Sequence, residues 1–379
     1  MTSTSCEATA RRVLEDCIAG RPPERLPAEL LDDACTRALF GVLVEGLADR
    51  FEPALCEIYA RLFSDVLPGA DLARYHRVRI PRPVAREPRR IFVLSRITLG
   101  ADIAVTSVLM DAAKRRFPGV PIHFVGPHKN FELFATDPRL THIPLAYRKG
   151  TLAERAAAAH ELAAIVDDLV IDPDSRLTQL GLLPAGDEDH YHLFESRRYG
   201  GESHDALPDL AARWAFTTFG VDGAKPYIAV QASPNECIAV SLGVGENPAK
   251  RLPDPFEPEL LKLLATRGPL VIDRGAGGEE RARVERAAAT AGVSPTYWDG
   301  SFAGFAALIA GARLYAGYDS AGQHAAAASG VPLISIFAGF PAPRMFHRWR
   351  PYGDKSHIIR VDHPDIGHIL ERVSAVLSC

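Results

Sequence analysis

Ala316-Gly317-Tyr318-Asp319-Ser320-Ala321-Gly322-Gln323-His324 is the stretch from which the fold is read. A strand ends, small and polar residues turn the chain, and an Ala-rich helix begins. Gly330-Val331-Pro332 then opens another apolar run, 331–337. Strand, turn, helix and strand in this order describe a parallel sheet with helical crossovers. Small residues at the turn let a ligand approach the backbone N–H groups at the helix start, where the helix dipole favours an anion. Asp319 is suited to accept hydrogen bonds from ribose hydroxyls. The plainer alternative, that Asp319 or Ser320 merely caps the helix, stays open at this point.

The same alternation extends upstream. Strands are expected at 237–241, 269–273, 296–298 and 313–317, with helices near 256–267, 279–291, 301–311 and 322–329 and a last helix near 365–377. A separate alternating unit holds strands at 91–95, 121–125 and 169–172. Its connection 173–205 is polar and long, which reads as a functional or mobile loop. Before it, prolines 81, 83 and 88 mark an extended linker. Residues 1–86 show apolar spacing of three and four, the helix period. The chain therefore divides into a helical extension with its linker (1–86), a Rossmann-like lobe (87–222), a second Rossmann-like lobe (223–355) and a helical tail (356–379). The fold class is α/β, with two Rossmann-like domains facing a cleft. Ligands of such sheets sit beyond the C-terminal strand ends.

Composition sets the outer limits. The chain has 379 residues, room for two to three domains. Apolar residues make up 47% and charged residues 24%, the balance of a folded chain. Its 43 Lys and Arg against 47 Asp and Glu leave a net charge of −4, which speaks against a nucleic-acid partner. No apolar run reaches the roughly 20 residues of a membrane span. The first residues lack the order of a secretory signal, so a cytoplasmic location is expected. Six cysteines are scattered without C-x-x-C pairs. They are expected to be reduced and structural.

Four further segments carry candidate chemistry. Gly243 and Gly245 free the backbone of the loop after the first strand of the second lobe. Lys250 and Arg251 follow with charge for a diphosphate, or as a solvated basic pair. Glu279 and Glu280 open a helix after Asp273-Arg274-Gly275, to favour its N-terminus or to contact a nucleoside. In the first lobe Arg96 and Thr98 lead to Asp102, placed either as a first-turn carboxylate or as a general base facing the cleft. The loop with His192, Arg197 and Arg198 lies on the acceptor side, suited with Arg96 to a hydroxyl- or phosphate-rich molecule. Histidines 190, 192, 357, 363 and 368 match no metal-binding pattern, and neither a metal nor another cofactor is expected.

Taken together, these segments resemble the ADP-heptose:lipopolysaccharide heptosyltransferases, glycosyltransferase family 9. Arg96, Asp102 and Thr106 match the family's first strand–helix junction, with Gly100-Ala101 in place of its Leu-Gly pair. Lys250-Arg251-Leu252-Pro253 stands for its Lys-Arg-Trp-Pro. Asp319-Ser320-Ala321-Gly322-Gln323-His324 stands for Asp-Ser/Thr-Gly-Pro-Met-His. Phe337-Ala338-Gly339 and Pro351-Tyr352-Gly353 echo the tail of that motif. The resemblance spans about 90–355.

It implies a two-domain GT-B glycosyltransferase, inverting and independent of a divalent metal. The second lobe would hold a nucleotide sugar, ADP-linked by preference, through Gly243, Gly245, Lys250, Arg251, Glu280 or Glu279, and Asp319 to His324. The first lobe would hold a hydroxyl-bearing acceptor. Asp102 would act as general base, and Lys250 would stabilise the leaving diphosphate. Two rivals remain: a UDP- or GDP-sugar enzyme on the same scaffold, and a binding protein without catalysis. An NAD enzyme is weaker, since no G-x-G-x-x-G follows either first strand with an acidic residue about 20 positions on. The extension's apolar faces suit packing on the core or a homodimer.

Overall fold

The computed structural model describes residues 3–147, 150–245, 247–275 and 277–378. Two parallel sheets organise it. The first contains β1 (Ile91–Leu94), β2 (Ile122–Gly126), β3 (Leu140–Pro144), β4 (Leu169–Asp172) and β5 (Tyr191–Leu193), in the order β3-β2-β1-β4-β5. The second contains β6 (Ile238–Ser241), β7 (Leu270–Asp273), β8 (Thr296–Trp298), β9 (Leu314–Tyr318), β10 (Leu333–Phe337) and β11 (Ser356–Arg360), in the order β11-β10-β9-β6-β7-β8.

The first sheet shows why its strands are apolar throughout. Successive side chains of a strand point to opposite faces. Ile91, Val93, Ile122, Phe124, Leu169 and Ile171 enter one core, beneath the helices Ser107–Arg116 and Leu207–Phe219. Phe92, Leu94, Val125, Val170, Tyr191 and Leu193 enter another. That second core is completed by the N-terminal extension: Leu30, Leu43, Leu55, Tyr59, Phe63 and Tyr75 are all buried in it. The extension therefore supplies the helical layer over one face of the first sheet. Each fully buried Leu or Phe of this layer is worth about 1.5–3 kcal/mol.

Local chemistry shapes the extension. The long helical run expected from Leu26 to Leu47 is broken, because the Asp32 carboxylate accepts from the Ala34 N–H at 2.8 Å and starts a new turn. Pro53 occupies the first turn of the helix Pro53–Ser64, where no N–H is needed.

Three expectations need correction. Cys6 and Cys35 are joined in a disulfide, while Cys17, Cys56 and Cys237 are free and buried; Cys379 lies outside the described residues. The pairing joins two turns that no motif spacing connects. The stretch 173–205 is not a free loop: it contributes β5, and most of its residues are buried. The segment 356–379, read as a helical tail, begins with β11, which pairs with β10.

The lobes share apolar packing. One buried cluster runs from β1 and the helix Ser107–Arg116 into Ala325, Ala326 and Leu333 of the second lobe. Arg348 is fully buried at the same junction and donates to the carbonyls of Gly201 and Asp205 at 2.9 and 2.7 Å. No described helix is long and apolar enough to cross a membrane.

Candidate active site

Each sheet reverses its strand order once, between β1 and β4 and between β6 and β9. At such a reversal the connections leave toward opposite faces, and a crevice opens beyond the C-terminal strand ends. Three of these four strands lead into expected site residues. Arg96, Thr98 and Asp102 come after β1, Gly243 to Arg251 after β6, and Asp319 to His324 after β9.

In the second lobe the expected cation and anion meet. Lys250 Nζ lies 2.7 Å from Asp319 Oδ2 and 3.2 Å from the Asp319 carbonyl oxygen. Gln323 Nε2 donates to the other carboxylate oxygen at 2.5 Å, and Ser335 Oγ donates to Gln323 Oε1 at 2.5 Å. Asn247 Nδ2 donates to the Gly339 carbonyl at 3.3 Å, tying the Lys250 turn to the strand end after β10. Asp319 is thus oriented by its neighbours rather than capping the helix. Ser320 is at the cap position of Ala321–Ala328 and its side chain makes no capping bond. The first N–H groups of that helix remain open, which is the condition for anion binding. Gly322, Gln323 and His324 are buried, while Ser320 and Ala321 are half-buried. Burial drives the His324 imidazole down to about 4, so the ring is neutral near pH 7.

Position distinguishes the two glutamates. Glu279 is exposed. Glu280 is half-buried against Gly243, where an added Cβ would stand 2.6 Å from its Oε1. A side chain at 243 would push this carboxylate off the β6 loop. Gly245 adopts the left-handed φ of +61° in the same loop. Arg251 turns away, pairing with Asp254 at 3.2 Å and Glu257 at 3.4 Å. Arg251 is engaged by these two carboxylates and does not join the Lys250–Asp319 pair.

The first lobe departs further from expectation. Asp102 is completely buried. Its Oδ2 accepts from Ser95 Oγ at 2.6 Å and Asn130 Nδ2 at 2.7 Å. Its Oδ1 accepts from the Arg96 N–H at 2.7 Å and Thr106 Oγ1 at 2.6 Å. Burial raises its carboxyl above the ordinary range against these four donors. A general base needs a lone pair within reach of the acceptor hydroxyl. In this structure four donors take up the Asp102 carboxylate, which holds the turn after β1. Within that turn Ile97 sits at a φ of +77°, costly for a β-branched residue. Asn130 donates to the Ile97 carbonyl at 3.1 Å and secures it.

The proposed acceptor residues do not converge. Thr98 is exposed at the helix start. Arg96 Nη1 donates to the Pro173 carbonyl at 2.5 Å and to Ser196 Oγ at 2.6 Å. Arg197 is buried, paired with Asp174 at 3.0 Å and lying over the Tyr59 ring of the extension. Arg198 lies 3.7 Å from Glu57, also of the extension. His192 is buried, its imidazole pushed down to about 4 by burial and then by Arg82 and His190. Arg197 and Arg198 serve joints of the first lobe with partners that are distant in sequence and could not be read from it.

Trp349, which sequence reading missed, brings together His324, Arg96 and Phe51. Its ring lies 5.9 Å from His324, 6.1 Å from Phe51 of the extension and 6.0 Å from the Arg96 guanidinium. Its carbonyl accepts from Gln323 Nε2 at 3.4 Å. Both lobes and the extension meet there. The one available signal was a tryptophan two residues before Pro351-Tyr352-Gly353. Among the described residues, Asp167, Asp187 and His190 form a group spaced to hold a metal. It lies toward the N-terminal end of β4, away from the crevice.

Residues 188–374, just under half of the chain, match the family model of glycosyltransferase family 9 (heptosyltransferase). The chain carries a glycosyltransferase family 9 domain. The matched stretch runs from β5 through the whole second lobe, and so contains Lys250, Glu280 and the Asp319–His324 turn. Three solved structures resemble the chain in fold. E. coli heptosyltransferase WaaC with ADP-2-deoxy-2-fluoro heptose is 20% identical, with a TM-score of 0.56, over 76% of this chain and 97% of that one. A family 9 glycosyl transferase from Veillonella parvula is 15% identical, with a TM-score of 0.56, over 76% and 97%. E. coli ADP-heptose lps heptosyltransferase II is 17% identical, with a TM-score of 0.53, over 76% and 98%. The architecture is thus GT-B. No curated protein matches the chain.

Proposed function

We propose that the family 9 domain transfers a heptose-like sugar from an ADP-activated donor to an acceptor hydroxyl, with inversion and without a divalent metal. The observation that carries this is Lys250, 2.7 Å from Asp319 at the open N-terminus of the helix Ala321–Ala328. A cation and unpaired N–H groups at one turn suit a departing diphosphate, and each well-placed donor contributes roughly 3–4 kcal/mol as its charge develops. Glu280, on the β6 loop across from that turn, is suited to the nucleoside hydroxyls. The ADP-heptose named for the E. coli relatives supports adenine over other bases. The acceptor hydroxyl attacks the anomeric carbon from the face opposite the diphosphate, and closure of the lobes excludes water.

A thermal-shift series with ADP, UDP and GDP tests the donor. ADP is expected to raise the melting temperature most. If UDP or GDP shifts the protein and ADP does not, the donor assignment fails. The sealed state of Asp102 favours a second reading, binding of a nucleotide sugar without transfer. Mass spectrometry of reactions holding ADP-heptose and candidate hydroxyl acceptors separates the two, since only transfer yields a heavier acceptor.

A further inference from the structure

Gln323 is expected from the sequence to meet the donor, yet it is fully buried and both ends of its amide are engaged inside the second lobe. Nε2 donates to Asp319 Oδ1 at 2.5 Å and to the Trp349 carbonyl at 3.4 Å, with His324 Nε2 at 3.3 Å. Oε1 accepts at 2.5 Å from the hydroxyl of Ser335, a buried residue in the middle of β10. The partners fix which way the amide faces. A carboxylate only accepts, so the nitrogen points at Asp319, and the Ser335 hydroxyl supplies its hydrogen to the oxygen. One Asp319 oxygen is thereby occupied. The other, Oδ2, is left to Lys250, whose Nζ sits 2.7 Å from it and 3.2 Å from the Asp319 carbonyl oxygen. Ser335, Gln323, Asp319 and Lys250 thus form one chain of hydrogen bonds, from the interior of β10 to the open start of the helix Ala321–Ala328. Gln323 stands where the motif that the chain resembles has Met, a side chain with nothing to donate to a carboxylate.

We propose that Gln323 is a positioning residue: anchored on Ser335, it fixes the Asp319 carboxylate and through it holds the Lys250 ammonium where the donor's diphosphate binds. This rests on the donor reading given above. Gln323 itself touches no ligand and acts only through Asp319 and Lys250.

The need for such an anchor lies in Lys250. Its ammonium ends a flexible aliphatic stem, and ordering that stem on ligand binding costs entropy. An Asp319 carboxylate pinned at Oδ1 does not turn, so the ammonium is already held beside the helix start when the ligand arrives. The amide does this without charge. A second anion at 323 would oppose Asp319, whereas a neutral amide leaves the Lys250–Asp319 pair balanced. The depth of the chain supports the role. Ser335 and Gln323 are 0% exposed, so their bonds are shielded from competition with water.

Calorimetry with ADP on the full-length protein tests this without turnover. Gln323→Met keeps the length of the side chain and breaks the chain of bonds, so ADP affinity should fall about three- to tenfold. The same substitution made together with Lys250→Met should cost less than about twofold more than Lys250→Met alone, because the group through which Gln323 acts is gone. A merely structural role would weaken ADP equally in both backgrounds. Gln323→Glu supplies a near-isosteric rescue. At pH 5.5 its buried carboxyl, beside the Asp319 carboxylate, keeps a proton to donate to Asp319 and still accepts from Ser335, so affinity should stay within about twofold of the wild type. At pH 8 that proton is lost, the two carboxylates repel, and affinity should fall below the wild type. Ser335→Ala leaves Gln323 in place without its anchor, should weaken ADP in the same direction, and replaces Gln323→Met in the comparison with Lys250→Met if the latter variant does not fold. If Gln323→Met binds ADP as the wild type does, or loses the same factor with and without Lys250, the positioning role is overturned while the donor reading stands. If the wild type does not bind ADP, the donor reading falls and the proposal with it.

Discussion

Gly100 of the first lobe lies directly against Ala321 of the second: a Cβ on Gly100 would stand 3.2 Å from the Ala321 Cα and 3.2 Å from His324 Cδ2. Two of the places where the chain departs from the motifs it resembles, Gly100 and Ala321, therefore meet across the crevice. Gly100→Val should force the lobes apart there. Overpacking of this kind costs about 1–3 kcal/mol. Urea unfolding should show the loss, and an unchanged midpoint would mean that the contact yields freely.

Lys250 and Asp319 form a largely buried pair, with side-chain exposures of 16% and 6%. Lys250→Met leaves the carboxylate without its cation. We expect about 1–3 kcal/mol of lost stability and a fall in ADP affinity. Lys250→Met combined with Asp319→Asn should recover part of the stability but not the affinity. Additive losses in the double variant would show that the two side chains are not coupled.

Asp102→Asn probes the sealed carboxylate. An amide presents two N–H groups where four donors already point. A stability loss of about 2–3 kcal/mol is expected, as for other unsatisfied buried donors. If Asp102 is the base of the transfer, this variant should also lose the rise of ADP release with pH, and a profile of unchanged shape and rate would refute that role.

Acid should weaken the fold through two histidines. His192 and His324 are both held neutral, their imidazoles at about 4. An unfolded histidine takes its proton near 6.5. Between those values the unfolded chain binds more protons, so stability falls as pH drops from about 6.5 to 4. Each histidine contributes up to about 3 kcal/mol to that fall. Urea midpoints at pH 7 and 4.5 measure it, and His192→Asn and His324→Asn should each flatten the slope. Identical slopes in the variants would refute the assignment.

Sequence reading reached the interior of the fold better than its edges. β6, β7, β9 and β10 are central or fully buried, and their apolar runs announce them. β3, β5 and β11 were overlooked. All three are edge strands, and Leu140–Pro144 and Ser356–Arg360 each bury only one residue fully. β3 and β11 bury little and so carry little apolar pattern, whereas β5 is buried along all three of its residues and is hidden by its shortness. The same limit applied at the site. Lys250, Glu280 and Asp319 follow strand ends directly and could be placed from order alone. Arg197 and Arg198 looked like acceptor ligands because Asp174 and Glu57, their true partners, come to them only through the fold.

The packing of the extension also imposes a timetable on synthesis. The extension leaves the ribosome first, carrying an apolar face whose counterpart is not complete until Leu193 of β5 has emerged. At about 5–20 residues per second, the intervening hundred or so residues take about 5–20 s. For that interval the nascent chain exposes a sticky helical surface, a natural point of engagement for chaperones.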